Sequence, residues 1–348
     1  MAFGVTPAKF FAVTLAFFFY RVIRSMAEGS LSQAKLMLLA GSSNPSLAQE
    51  ISASLEQPLC HVTLKRFADG EIFVRIDENV RGRDVFIIQS TNPPAENILE
   101  LLILTDAALR ASAARITAVI PYYGYARQDR KDQPRVAISA KLMANLIMKA
   151  GIDRVVSIDF HQHQLQGYFD IPVDHLYAAP VFVQHFRQKT LDDLVVVAPD
   201  VGSAKMARGF ATRLGGGFAI IDKRRPQANV AEVLNVVGRV EGRDCLITDD
   251  MVDTAGTLSG AAHALKDLGA NKVYCCASHP LLSGPAVERL SEAPLTEMAV
   301  ANTVHVPEER RFPNLEILSV APLLAKAIRY IHSGESVSSL FEAQEEKG

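Results

Sequence analysis

Residues 246–257 read Leu-Ile-Thr-Asp-Asp-Met-Val-Asp-Thr-Ala-Gly-Thr. An apolar strand, Cys245 to Thr248, runs into the paired acids Asp249 and Asp250. Asp253 then opens a short loop of small, hydroxyl-bearing residues. A helical pattern follows, with Ala261, Leu265 and Leu268 at helical spacing. Thr254, Ala255, Gly256 and Thr257 can offer backbone N–H groups and hydroxyls to a phosphate at a helix N-terminus. The paired acids can accept hydrogen bonds from the two hydroxyls of a ribose, so the run suits a ribose 5-phosphate. The competing reading is an acidic strand-to-helix turn that only caps the helix.

Working outward, short apolar runs alternate with helical patterns along the chain. Strand candidates are Leu36–Ala40, Val85–Gln89, Ile116–Ile120, Val155–Ile158, Leu194–Ala198, Phe218–Ile221, Asp244–Thr248 and Lys272–Ala277. Helix candidates include Ser46–Leu55, Asn97–Ala113, Ile138–Ala150, Ser203–Leu214 and Gly260–Leu268. Such alternation argues for an α/β fold with parallel sheets. The strands are too many for one compact doubly wound sheet, and 348 residues exceed one typical domain. The expectation is two similar α/β domains in tandem, meeting near residue 178. Arg81-Gly-Arg-Asp-Val-Phe-Ile-Ile and Glu241-Gly-Arg-Asp-Cys-Leu-Ile-Thr echo each other, one per half, and hint at duplication.

Composition sets limits. The net charge of −2 gives no footprint for nucleic acid, and a 49% hydrophobic content supports a sizeable core. Cys60, Cys245, Cys275 and Cys276 lack metal-ligand or C-x-x-C spacing and read as reduced core thiols. Phe10 to Tyr20 is an apolar run flanked by Lys9, Arg21 and Arg24. It is too short to span a bilayer, which takes about 20 residues. Residues 1–33 are therefore expected to be an N-terminal extension, with Met26 a candidate true start. A targeting segment or membrane-surface anchor is the other reading.

In open α/β sheets, ligands sit beyond the carboxyl ends of strands, and the remaining motifs cluster there. Pro121-Tyr-Tyr-Gly-Tyr-Ala-Arg-Gln-Asp-Arg-Lys-Asp brings Arg127, Arg130 and Lys131 for phosphate oxygens, amide donors from Gln128, and flat aromatic faces, the alternative being a solvated charged loop. Asp159-Phe-His-Gln-His and Val197-Ala-Pro-Asp-Val-Gly present His161 and Asp200 to a divalent ion carrying a polyphosphate. The ordinary alternatives are a packed histidine and a helix cap before Ser203. Ile221-Asp-Lys-Arg-Arg-Pro reads either as a basic loop able to close over a charged transition state or as a surface charge run.

The 246–257 run resembles the PRPP loop of the phosphoribosyltransferase superfamily. Together with Phe67-Ala-Asp-Gly-Glu, Tyr125-Ala-Arg-Gln-Asp-Arg-Lys-Asp, Asp159-Phe-His, Lys223-Arg-Arg-Pro and Gly334-Glu-Ser-Val-Ser, in this order along the chain, it resembles the ribose-phosphate pyrophosphokinase (PRPP synthetase) family, phosphate-activated bacterial-like class. The likeness runs from about Lys35 to Phe341. It implies two tandem phosphoribosyltransferase-like domains, 34–177 and 178–332, each a mainly parallel sheet flanked by helices, and a tail, 333–348, returning to the first. It implies transfer of the pyrophosphoryl group of ATP to ribose 5-phosphate, giving PRPP and AMP for nucleotide, histidine and tryptophan biosynthesis, with Mg²⁺ as cofactor.

By the same resemblance, Lys223 and Arg225 are catalytic. Phe67, Asp69, Gly70, Glu71, Arg127, Gln128 and Asp132 bind ATP, the Phe67 segment reaching an adjacent subunit's site. His161 and Asp200 meet the metal. Asp249, Asp250, Asp253, Thr254, Ala255, Gly256 and Thr257, with Arg225, hold ribose 5-phosphate. Arg81, Ser112, Arg135, Ser336 and Ser338 match the allosteric anion site. A cytoplasmic hexamer regulated by ADP and phosphate, with neither nucleic-acid nor membrane partners, is implied. The family commonly has leucine where Phe160 stands. Two alternatives stay open: a nucleobase phosphoribosyltransferase, which would not need two domains or Lys223-Arg-Arg, and a non-catalytic PRPP-synthetase-associated subunit, which should show an altered catalytic loop.

Overall fold

The structure is a computed structural model and describes residues 34–224, 233–338 and 340. The extension 1–33, with Met26, lies outside the described residues. The elements run β1 (Leu36–Ala40), α1 (Pro45–Leu55), β2 (Val62–Arg66), β3 (Ile72–Ile76), β4 (Asp84–Ile88), α2 (Glu96–Arg110), β5 (Arg115–Ile120), α3 (Ser139–Ala150), β6 (Arg154–Ile158), β7 (Val173–Leu176) and α4 (Ala179–Arg187). There follow β8 (Val195–Ala198), α5 (Ala204–Leu214), β9 (Gly217–Arg224), β10 (Val233–Val237), β11 (Cys245–Val252), α6 (Gly256–Asp267), β12 (Val273–Pro280), α7 (Ala286–Glu292), β13 (Glu297–Ala301), β14 (Leu315–Leu318) and α8 (Ala321–Ser333).

Two main sheets result. The first is five-stranded and all parallel, ordered β1-β4-β5-β6-β7. The second is seven-stranded, ordered β10-β9-β8-β11-β12-β13-β14, parallel except where β10 pairs antiparallel with β9. Strands such as β4 (Asp-Val-Phe-Ile-Ile) and β8 (Val-Val-Val-Ala) are buried along their whole length, as strands covered on both faces require. In the second sheet the chain steps from β8 to β9 on one side and from β11 to β12 on the other. The switch point, where ligands bind in such sheets, therefore lies between β8 and β11.

The Gly-Arg-Asp echo is built twice. Gly82 (φ 66°) and Gly242 (φ 71°) take left-handed conformations that only glycine adopts freely. Gly82 N donates to Ser112 O at 2.8 Å, and Gly242 N to Gly269 O at 2.8 Å. Asp84 and Asp244 then enter β4 and β11 fully buried. Arg115 grips Asp84 through Nε (2.8 Å) and Nη2 (2.5 Å), while Asn271 Nδ2 donates to Asp244 at 2.8 Å.

The carboxyl edges of the sheets face each other. Asn44, after β1, donates to Asn302 O at 2.8 Å, and Ser90, after β4, donates to Thr303 O at 2.6 Å. One core cluster runs through both halves, including Leu38, Phe86 and Val156 with Phe182, Val196 and Ile328. Helix α8 packs on α1, and His332 Nδ1 reaches Asp84 at 2.8 Å.

Candidate functional site

Strand β11 outruns its neighbour. It pairs with β8 only at Cys245–Ile247, but with β12 as far as Val252 and Pro280. Asp249 and Asp250 therefore lie within a strand extension, where a strand ending at Thr248 was expected. The half-bare edge opens onto the switch point. Ala255 (φ 60°) then breaks the strand direction and α6 begins at Gly256. The helix starts four residues before the expected Gly260, and Leu258 in its first turn is buried in register with Ala261, Ala262 and Leu265, a periodic signal that sequence reasoning overlooked. Ala255 supplies no side-chain cap, so the first N–H groups of α6 keep no partner from that position.

The carboxylates are tied together. Ser203 Oγ lies 3.2 Å from both Asp200 Oδ1 and Asp249 Oδ1, sharing one proton between them. Asp200 also accepts from Ser203 N at 2.9 Å, so its capping role and its place in the acid cluster coexist. Asp249 has its pKa raised to about 8 by burial first, then by the charges of Asp250 and Asp200. Burial also pushes Asp250 upward, but His161 overrides it and holds the carboxyl below the ordinary range.

His161 arrives from the first sheet. Its Nδ1 is 2.7 Å from Asp250 Oδ2, and that hydrogen bond raises the imidazole's pKa against the opposing effect of burial. Phe160 turns inward, edge-on to Tyr123 at 5.5 Å, so the departure from leucine leaves His161 unobstructed. Arg127 Nη1 donates to Asp253 Oδ2 at 2.6 Å. Burial alone would raise the Asp253 pKa, but hydrogen bonds from Ser283 and Arg127 hold it low. The loop carrying Arg127 is forced at Gly124, where a Cβ would come within 2.0 Å of Thr91 O. Gln128 accepts from Ser139 Oγ, and Asp132 is exposed.

The structure thus brings Asp200, Asp249, Asp250 and His161 into one cluster, with Arg127 and Asp253 joined beside it. Arg289 Nη1 holds the Thr254 carbonyl at 3.0 Å. Phe67, Asp69, Gly70 and Glu71 form the tip of the β2–β3 hairpin: Phe67 N donates to Glu71 O at 2.9 Å, and Phe67 is half exposed and edge-on to Phe73. The hydrogen bonds described at this tip stay within the hairpin. Lys223 pairs through its backbone with Leu234 in β10, whereas its side chain and Arg225 lie outside what is described. Arg81 and Ser112 flank the Gly82 turn, Arg135 (φ 67°) lies in the loop before α3, and Ser336 and Ser338 follow α8.

Sequence reasoning missed Ser203 as a bridge and gave Asp159, at the head of the strand-end motif, no role of its own. Asp159 is buried, its Oδ2 accepting from Ser278 Oγ (2.6 Å) and Ala178 N (3.0 Å). Nothing in a single strand-end motif signals that choice.

No group of three or more His, Cys, Asp or Glu among the described residues forms a metal cage. An ion held by few protein ligands, with the rest from phosphates and water, does not need one. All four cysteines are buried and unpaired, and no described helix is long and apolar enough to cross a membrane.

The domain family described as the N-terminal domain of ribose phosphate pyrophosphokinase matches residues 36–151, and that described as phosphoribosyl synthetase-associated domain matches residues 226–342. Ribose-phosphate pyrophosphokinase of Chlorobaculum tepidum is 53% identical over 310 residues, covering 89% of this chain and 96% of that protein. The chain belongs to the ribose-phosphate pyrophosphokinase family. Another member, from Caldanaerobacter subterraneus subsp. tengcongensis, is 55% identical over 308 residues, covering 88% and 98%. The crystal structure of phosphoribosylpyrophosphate synthetase from Mycobacterium smegmatis superimposes with a TM-score of 0.81 at 44% identity, covering 86% of this chain and 99% of that one.

Proposed function

We propose that the protein transfers the pyrophosphoryl group of ATP to the anomeric hydroxyl of ribose 5-phosphate, giving PRPP and AMP. The observation that carries this reading is the meeting of the two sheets at the acid cluster: His161 against Asp250 and Arg127 against Asp253. One sheet supplies a phosphate-sized helix N-terminus and ribose-binding acids, and the other supplies cationic and imidazole groups for a triphosphate.

The donor set fits Mg²⁺. A carboxyl raised to about 8 by burial first and then by the neighbouring Asp250 and Asp200 marks a desolvated site with an excess of negative charge, which a cation relieves. His161, Asp200 and the acids of β11 would hold the ion, with His161 Nε2 left for a ligand. When bound, Mg²⁺ neutralises triphosphate charge and helps align it. The chain's residues do the positioning. Asp249, Asp250 and Asp253 orient ribose hydroxyls, and Thr254 through Thr257 receive the 5-phosphate at the start of α6. Phe67, Asp69, Gly70, Glu71, Arg127, Gln128 and Asp132 bind ATP. Lys223 and Arg225 stabilise charge on the bridging and leaving oxygens.

Residues 34–177 and 178–332 act as the two domains of this reading. ADP and inorganic phosphate act at Arg81, Ser112, Arg135, Ser336 and Ser338, in a homo-oligomer. The presence of Lys223, Arg225 and the whole 249–257 loop favours an enzyme over a non-catalytic subunit.

The test is formation of PRPP and AMP from ribose 5-phosphate and Mg-ATP, with phosphate varied. Wild type should give the two products in equal amounts. Lys223→Ala should lose about 10²–10³-fold in kcat while still binding ATP, as removal of one transition-state donor does. Folded wild type that makes no PRPP under these conditions would overturn the reading.

A further inference from the structure

The peptide unit joining Asp159 to Phe160 is held at both of its polar atoms by histidines. Asp159 O accepts from His279 Nε2 at 3.0 Å, and Phe160 N donates to His175 Nε2 at 2.9 Å. His279 is 1% exposed and belongs to β12 of the second sheet; His175 is 9% exposed and belongs to β7 of the first. A carbonyl only accepts, so His279 must carry its proton on Nε2. A backbone N–H only donates, so His175 must leave Nε2 bare. Burial, with the neighbouring His163 and His279, depresses the His175 pKa to about 3 and keeps that lone pair free.

The surroundings support the same peptide. Asp159 has φ 38°, in the left-handed region that a non-glycine residue holds only when its neighbours fix it. Its N donates to Leu176 O at 2.9 Å, and its carboxylate is gripped by Ser278 Oγ and Ala178 N. His279 is itself steadied, with Nδ1 2.9 Å from Thr303 Oγ1 and its ring edge-on to Tyr122 at 4.9 Å. One residue beyond the held peptide stands His161, 2.7 Å from Asp250.

We propose that His279 and His175 are positioning residues: they clamp the Asp159–Phe160 peptide from opposite sheets and so aim His161 at Asp250. Each acts on the backbone of that peptide. The clamp makes the aim of His161 depend on the two sheets keeping their relative position, since one jaw belongs to each. The inference rests on the reading of His161 as a group that meets the metal–triphosphate.

Dissociation constants for Mn-ATP, and for ATP in EDTA, measured by titration calorimetry on the full chain, test it. His279→Leu removes the donor and should weaken Mn-ATP binding about 10–100-fold, the usual cost of losing a group that orients a metal ligand. ATP binding in EDTA should change little. His279→Gln places an amide nitrogen where Nε2 sits and should restore wild-type affinity, whereas His279→Asn reaches only the Nδ1 position and should not. That Gln-over-Asn order keeps the test decisive even where His279→Leu does not fold. On the other jaw, His175→Gln should be tolerated and His175→Phe should weaken Mn-ATP binding. Equal Mn-ATP affinity in wild type and the His279 Gln, Asn and Leu variants would overturn the clamp. His161→Ala separates the two readings. If it weakens Mn-ATP binding while His279→Leu does not, the clamp alone fails; if it has no effect, the metal reading of His161 fails and the clamp's purpose with it.

Discussion

Asp249 is a carboxyl that folding makes reluctant to ionise. Its pKa rises from 3.8 to about 8, through burial and then through the charges of Asp250 and Asp200. Between those two values the folded chain binds a proton that the unfolded chain has released. Stability therefore falls as pH climbs from about 4 towards about 8, and the loss is complete above the folded pKa. Asp249→Asn keeps an oxygen for Asp250 N and Ser203 Oγ but cannot ionise. With neither nucleotide nor divalent ion added, its Tm should exceed that of wild type at pH 8, and the gap should close towards pH 4. A gap independent of pH would refute the assignment. Arg127 yields a second prediction. Its partner Asp253 also receives Ser283, so Arg127→Ala should leave the fold intact and raise the KM for ATP by about tenfold, roughly the loss of one charged hydrogen bond; an unchanged KM in steady-state kinetics would remove Arg127 from the ATP site. The types of these residues were legible in the sequence. Their pairings were not, because His161–Asp250 and Arg127–Asp253 join positions 89 and 126 residues apart, a separation no local pattern encodes.

At the scale of elements, most of the strands the sequence announced are heavily buried, while β9, announced as Phe218–Ile221, buries only alternate residues. β1, β4, β5, β6, β8 and β12 read as unbroken apolar runs because helices cover them on either side. The β2–β3 hairpin escaped notice. Lys65, Arg66 and Arg75 interrupt its pattern, and its residues are only half buried, so it has neither an apolar run nor a clean alternation. β13 was missed although nearly every residue in it is buried, since Glu-Met-Ala-Val-Ala is too short to distinguish from a buried helix turn. The attachment of α8 was equally invisible, because it depends on Asp84. That carboxylate is wholly buried, bound twice by Arg115 and once by His332, and Arg115 Nη2 also holds Ile331 O at 3.1 Å. Removing one member of a buried pair leaves the other uncompensated. Asp84→Ala should therefore cost about 3–5 kcal/mol by denaturant titration, with amide protection lost first in α8. Uniform protection in the variant would show that α8 is held by its apolar face alone.

The whole molecule presents apolar surface that its own fold leaves uncovered. Leu142 and Leu146 stand one turn apart on α3 and are 51% and 40% exposed, while Leu99 and Leu109 on the adjoining α2 are 52% and 48% exposed. Single exposed leucines are ordinary, but the Leu142–Leu146 pair on one helix face, beside a second helix that also exposes leucines, is the kind of feature that association surfaces use. The Asp159–Phe160 clamp and the acid cluster both need the two sheets held in one arrangement, and contacts between copies would add to what the shared core supplies. A homo-oligomer that uses this face should respond to charge placed in it. Leu142→Glu with Leu146→Glu adds repulsion at two points where a partner would bury them, at positions too exposed to disturb the chain's own core. Light scattering after size-exclusion chromatography should show a smaller assembly for the double variant than for wild type, with an unchanged circular dichroism spectrum. If the mass is the same, these leucines take no part in contacts between copies of the chain.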